Sequence, residues 1–374
     1  MDAAMALALL FFCVLLLASG AIAFLLIRHC LARAPPHRHR QAQPEAAAKQ
    51  LQQQALLAIK KEPAPRRLAW REVEALTGGF DEAAVVGRGG SSTVYLARLL
   101  DGSPVAVKVH RWCGGERRLR AFRQELDLLR RLRHPHIVAL LAYSDDHEDE
   151  GALVLEYLGG GTLADALHGT AAAPLPWAQR MRVLHDVACA LEHLHGGGGG
   201  GASVVHGDVS ASNVLLSDGG VRLCDLGSAC EGFSAAVAPA RAAVASPGYA
   251  DPFFLRTGIV SSRSDVYGFG VLLLEAVTGL PAASEAENLT ARILPRVRAR
   301  GVAGLVDGRL GDGGHDEEEA AGVARLAVEC VAAQPGLRPS MAQVRAAIAE
   351  KAARSIAKAG CGHHIQLSKL LELT

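Results

Sequence analysis

Asp208 and Asn213 share one short segment, His206-Gly207-Asp208-Val209-Ser210-Ala211-Ser212-Asn213, and a second carboxylate follows in Cys224-Asp225-Leu226-Gly227. A loop carboxylate beside a substrate hydroxyl can act as a general base or an orienting group. An amide oxygen and a second carboxylate are hard ligands, and magnesium takes few such ligands from protein and the rest from phosphate oxygens. These are the parts needed to move a phosphoryl group onto a hydroxyl. Upstream, the small residues of Gly87-Arg88-Gly89-Gly90-Ser91-Ser92-Thr93-Val94 let backbone N–H groups approach phosphate closely. Lys108 ends the apolar run Val105-Ala106-Val107-Lys108. A lysine in a buried strand is costly unless paired; a phosphate and a helix carboxylate, Glu125, would satisfy it. A dinucleotide site is disfavoured, because no helix follows the glycines.

The elements that must hold these groups are legible in the pattern. After Phe80, short alternating runs broken by Gly, Asp-Gly and Pro read as antiparallel hairpins. Arg117 to Leu132 has helical periodicity, with Leu119, Phe122, Leu126, Leu129 and Leu132 on one face. Ala152 to Tyr157 reads as a strand after the acidic turn Asp145 to Glu150, and beyond Gly161 the pattern is mainly helical. His206, after Val204-Val205, reads as a core histidine that holds backbone, and Gly196 to Gly201 as a flexible loop. The result is an α+β chain with a small β-rich part before a larger helical part.

Half of the 374 residues are apolar and 5% are aromatic, so the core must rest on Leu, Val and Ala. Lys plus Arg number 39 against 38 Asp plus Glu, a balance that gives no argument for nucleic-acid binding. The 8 Cys lack a CxxC pair, which points to neither a disulfide framework nor a zinc site and fits a reducing compartment.

Ala6 to Ile27 is apolar and uncharged, and a helix of about 20 such residues spans a bilayer. Asp2 in the N-terminal flank, and the continuation through Phe24, Leu25, Leu26 and Ile27, argue against a cleaved signal peptide. Arg28, Arg33, Arg38 and Arg40 place the following chain on the cytosolic side. The expected order is therefore a short extracytosolic terminus (1–5), a transmembrane helix (6–27) and a basic juxtamembrane linker (28–67) with a short helix over 45–61, without an ectodomain.

From Leu68 to about Ile348 the chain resembles eukaryotic protein kinases, and specifically plant receptor-like kinases. The resemblance rests on GRGGSSTVY, VAVK, LRHPHIVALL, LVLEYLGGGTLADAL, HGDVSASNVLL, CDLGSA, SPGYADP, SDVYGFGVLLLEAVTG, LVDGRL and LRPSMAQV. It implies a two-lobed protein kinase fold preceded by the transmembrane helix, with a kinase domain over 68–350 (N-lobe about 68–157, C-lobe about 158–350) and a tail over 351–374. It implies that Asp208 is catalytic together with Lys108 and Glu125. Gly87, Arg88, Gly89, Gly90, Ser91, Ser92, Val94, Ala106, Lys108, Glu156, Leu158 and Leu215 would bind ATP, and Asn213 and Asp225 would hold Mg2+ or Mn2+. Leu155 takes the gatekeeper position and Glu156 to Leu158 the hinge. Leu129, Leu140, His206 and Leu226 match the family's regulatory stack, tied to Asp265. Ser246 and Gly248-Tyr249 match the loop that receives a Ser/Thr substrate. The implied partners are a protein substrate and other receptor-like kinases at the plasma membrane.

Four positions depart from that pattern. Gly207 replaces the arginine that reads an activation-segment phosphate, so activity is expected without phosphorylation of Ser228, Ser234 or Ser246. Ser210 replaces a lysine that stabilises the transferring charge. Leu226 replaces Phe. Phe253 replaces the glutamate that normally pairs with an arginine, here Arg338, which must find another acceptor. The alternative implied by these departures is an impaired scaffold that binds ATP or partner kinases.

Overall fold

Strands whose side chains alternate between the two faces of one sheet build the first lobe, and helical faces build the second. The computed structural model describes residues 64–90, 92–99, 101–113, 115–169, 173–198, 201–231, 246–311 and 313–362. The first lobe runs through β1 (Arg66–Arg67), α1 (Trp70–Leu76), β2 (Val85–Arg88), β3 (Ser92–Arg98), β4 (Pro104–Arg111), α2 (Glu116–Arg131), β5 (Leu140–Ser144) and β6 (Glu150–Glu156). Its strands form one sheet in the order β1-β5-β6-β4-β3-β2, antiparallel except for the β1–β5 pair. Val105, Val107 and Val109 of β4 are buried in a core with Leu68, Val73, Leu76 and Tyr95. Alternation therefore turns Ala106, Lys108 and His110 to the opposite face. On α2, Phe122, Glu125, Leu126 and Leu129 are all buried, while its arginines stay in solvent.

The second lobe adds α3 (Leu163–His168), α4 (Trp177–His195), β7 (Val204–Val205), β8 (Val214–Ser217), β9 (Gly220–Leu223), β10 (Cys230–Glu231), α5 (Pro252–Thr257), α6 (Ser262–Thr278), α7 (Leu289–Arg300), α8 (Glu317–Cys330), α9 (Met341–Lys351) and α10 (Ala353–Gly362). Helix α6 is buried continuously from Asp265 to Thr278, as expected of a helix that is apolar all round. Its Gly270 admits α8: a Cβ there would stand 2.6 Å from Cys330 Cβ. β8 and β9 form a two-stranded sheet, as do β7 and β10. Helix α10 packs on α4, and its Ser355 donates to the buried Glu319 of α8.

One part of the expected fold class is overturned. Among the described residues no helix is long and apolar enough to cross a membrane, so the transmembrane helix set before the two lobes is withdrawn. Helix α4 has 19 residues but carries Arg180, Arg182, Asp186 and Glu192; the more apolar α6 has 17 and is core. The run at 6–27, the linker helix at 45–61, Ser91, Ser234 and the tail beyond 362 lie outside the described residues.

Candidate active site

Strand alternation delivers Lys108 to the cleft face of β4, and one buried turn of α2 delivers Glu125 to meet it. Lys108 Nζ lies 2.9 Å from both Glu125 carboxylate oxygens and 3.0 Å from Asp225 Oδ1. One ammonium from the first lobe thus sits between a helix carboxylate of that lobe and a loop carboxylate of the other. Burial alone would lower the lysine's pKa, but Glu125 and then Asp225 outweigh it and hold it above its usual range. Burial alone would raise Glu125; the charge of Lys108, and then His110, bring it down to about 2. Its folded pKa lies below its ordinary 4.5, so the pair's stabilisation is complete above that value and is lost as pH falls toward about 2. Glu125→Gln should flatten the acid limb of the urea-unfolding free energy across that window. An unchanged limb would count against the pairing.

The glycine-rich turn joins β2 to β3 and is closed by a 2.8 Å bond from Gly89 N to Ser92 O. Arg88 forms an ion pair with Glu82. Across the sheet, Ser92 pairs with His110, Val94 with Lys108 and Ala106 with Leu155. Leu155 and Leu158 are buried at the end of β6. The Glu156 carboxylate accepts from Ala139 N (2.8 Å) and from Arg222 Nε of β9 (3.0 Å), tying this strand end to the second lobe. Leu215, half-buried on β8, bridges to Thr162.

The loop bearing Asp208 hangs from α6. Asp265 accepts from His206 N (2.8 Å) and Gly207 N (2.9 Å), and His195 Nε2 lies 2.8 Å away. His206 is buried as expected, with Nε2 3.0 Å from Cys224 O. Asn213 Nδ2 donates to Asp208 O (2.9 Å) and Oδ2 (3.1 Å), and Asn213 O accepts from Cys224 N (2.9 Å). Asp225 adopts the left-handed conformation (φ 63°), which aims its Oδ1 at Lys108. The side-chain hydrogen bonds of these two residues use Nδ2 of Asn213 and Oδ1 of Asp225. Asn213 Oδ1 and Asp225 Oδ2 therefore face no protein donor among the described residues. Two free hard oxygens suit a divalent cation that takes its remaining ligands from phosphate. No cluster of three or more His, Cys, Asp or Glu closes a metal site among the described residues. Leu129, Leu140 and Leu226 are buried in one core, and His206 is buried as well.

The departures have physical explanations. Gly207 has φ 81°, and a Cβ there would stand 2.5 Å from the Ser228 carbonyl oxygen. Gly207→Arg should therefore cost about 1–3 kcal/mol of stability by chemical denaturation. An arginine accepted at no cost would contradict this backbone geometry. Ser210 is fully buried and its hydroxyl accepts from Ser246 Oγ at 3.3 Å, so a neutral contact stands where an ammonium was expected. Ser246 N donates to Asp208 Oδ1 at 2.9 Å. The Tyr249 hydroxyl accepts from Ala211 N (3.0 Å) and donates to Glu275.

Arg338 has its acceptor. Nη1 and Nη2 each donate to Asp251 at 2.8 Å, Nε donates to the Ala332 carbonyl and Nη1 also to that of Arg263. The sequence reading missed Asp251, although a carboxylate in the same turn as Phe253 was the available signal. It also missed His110, whose Nε2 lies 3.3 Å from Glu125 Oε2 and whose place two residues after Lys108 puts it on the same face.

The model of a family described as "Protein kinase domain" matches residues 80–347. The chain is 51% identical over 297 residues to a salt tolerance receptor-like cytoplasmic kinase of Oryza sativa subsp. japonica, spanning 76% of this chain and 80% of that protein. A probable receptor-like protein kinase of Arabidopsis thaliana is 39% identical over 315 residues, 79% of this chain and 90% of that protein. A leucine-rich repeat receptor protein kinase of Oryza sativa subsp. japonica is 38% identical across 76% of this chain, but the match covers 21% of that longer protein.

Proposed function

As this chain belongs to the protein kinase family, among the plant receptor-like kinases, and is a serine/threonine protein kinase, we propose that it transfers the γ-phosphoryl group of ATP through Lys108, Glu125, Asp208, Asn213 and Asp225. The observation that carries this reading is the single ammonium shared by Glu125 and Asp225 at 2.9 and 3.0 Å. Lys108 is placed to hold phosphate oxygens, and Glu125 keeps its charge and direction fixed. Asp208 orients the substrate hydroxyl and receives its proton, while Asn213 Nδ2 fixes the Asp208 carboxylate by donating a 3.1 Å hydrogen bond to it. Asn213 Oδ1 and Asp225 Oδ2 would hold a divalent cation, magnesium in this reading, which neutralises charge on the triphosphate. The glycine-rich turn from Gly87 to Val94, together with Ala106, Glu156, Leu158 and Leu215, surrounds the nucleotide. The kinase domain extends over 68–350, with its lobes meeting near residue 157. The acceptor is a Ser or Thr side chain of a protein, received by Ser246 and Gly248-Tyr249 in a signalling context.

Ser210 brings no ammonium to the transferring group, which is expected to slow turnover about a hundredfold relative to a site that has one. With no arginine at position 207, Ser228→Ala should leave turnover unchanged; strict dependence on Ser228 would refute phosphate-independent activity. The test of the whole reading is radiolabelled phosphate transfer from ATP to a generic basic protein by the full chain. Wild type should incorporate label, whereas Asp208→Asn and Asp225→Asn should not. Equal incorporation by all three would end the assignment.

A further inference from the structure

Two residues beyond Lys108, on the same face of β4, a histidine is buried where a bystander would normally be apolar. His110 is 5% exposed. Its ring lies against Phe122 of α2, with centroids 5.4 Å apart. Glu125 stands one turn further along that helix, and His110 Nε2 is 3.3 Å from its Oε2. That nitrogen makes no well-aligned hydrogen bond to any described residue. A lone pair turned toward a buried carboxylate oxygen at this separation would be repulsive, and both atoms would be left unsatisfied. The contact is tolerable only when Nε2 carries a proton, in the neutral tautomer or the imidazolium. Glu125 is therefore approached along one strand by two donors, Lys108 and His110.

The two donors differ in what else claims them. Lys108 is already shared with Asp225 and, on the reading given above, with nucleotide phosphate. His110 Nε2 meets no acceptor other than the Glu125 carboxylate among the described residues. We propose that His110 is a positioning residue: its Nε2–H tethers Glu125, and with it α2, to β4 independently of the lysine ammonium. The helix carboxylate then keeps its place while Lys108 divides its ammonium among Glu125, Asp225 and phosphate. This rests on Lys108 and Glu125 acting as the phosphate-handling pair.

The test uses the full chain, with kcat, KM for ATP and the thermal midpoint measured for His110→Phe, His110→Gln, Glu125→Gln and the Glu125→Gln/His110→Phe double variant. His110→Phe keeps a ring against Phe122 but removes the proton. It should lower kcat about tenfold, the size expected for losing a hydrogen bond to a charged group, with little change in midpoint. His110→Gln restores a donor and should recover most of that loss. In the Glu125→Gln background, His110→Phe should have little further effect. If Glu125→Gln lowers kcat while His110→Phe costs nothing, or costs as much with Glu125 as without it, the tether is refuted and the phosphate-handling reading stands. If Glu125→Gln itself leaves kcat unchanged, both fall. Ring-nitrogen NMR of the wild-type chain decides the point without a variant: a His110 proton on Nε2 is required, and one on Nδ1 alone overturns the proposal.

Discussion

Asp208→Asn should reduce kcat by roughly 10²–10⁴-fold, the usual contribution of a positioned general base, while KM for ATP and thermal stability stay close to wild type. The two oxygens of Asp208 are held from opposite sides, by Asn213 Nδ2 and by Ser246 N. Asparagine can present its oxygen to one of these donors, so the loop keeps most of its geometry. It must turn its NH2 toward the other donor, and it has no basic oxygen left to accept the hydroxyl proton. The positions proposed to line the nucleotide lie on or beside β2 to β4, β6 and β8, which this substitution does not touch. A loss seen mainly in KM, or a fall in kcat of less than about tenfold, would remove Asp208 from the role of base.

The second large effect concerns folding. Arg338→Ala should destabilise the protein by about 3–5 kcal/mol, the range for breaking a buried pair by removing one partner. Asp251 and Arg338 have side chains only 2% and 0% exposed. Without the guanidinium, Asp251 is a buried carboxylate lacking its counter-charge, and the carbonyls of Ala332 and Arg263 lose donors. Urea denaturation of the full chain would measure the change. Asp251→Leu with Arg338→Met should recover much of it, because an apolar replacement removes both charges together. A single-variant loss below about 1 kcal/mol would mean that the pair is not anchoring this region.

Much of the site could be read in the sequence because its parts are local. Val105-Ala106-Val107-Lys108 is a strand whose period determines which way the lysine points, and the spacing of Phe122, Leu126 and Leu129 places Glu125 on the inner side of its helix. The expected helix over Arg117 to Leu132 and the observed α2 differ by one residue at each end. What escaped depends on segments that meet only after folding. Asp251 and Arg338 are separated by 87 positions, and a motif-by-motif reading looked for a carboxylate at position 253 itself. The partner of His110 lies on a different element, so alternation disclosed the histidine's face but not what faced it. The hydroxyl pair of Ser210 and Ser246 joins the loop bearing Asp208 to the loop that opens at Ser246 and is likewise non-local. The membrane helix was expected from a long apolar run and the charges flanking it, and no described helix is long and apolar enough to cross a membrane.

The loop from Ser246 to Asp251 is fastened at its first residue to Asp208, at Tyr249 to Ala211 and Glu275, and at its last to Arg338. If this loop receives the substrate, as proposed, a surface preorganised in this way leaves an incoming peptide little protein disorder to suppress on association. Discrimination among peptides should then arise from how well their side chains fit, with a small entropic penalty from the enzyme's own backbone.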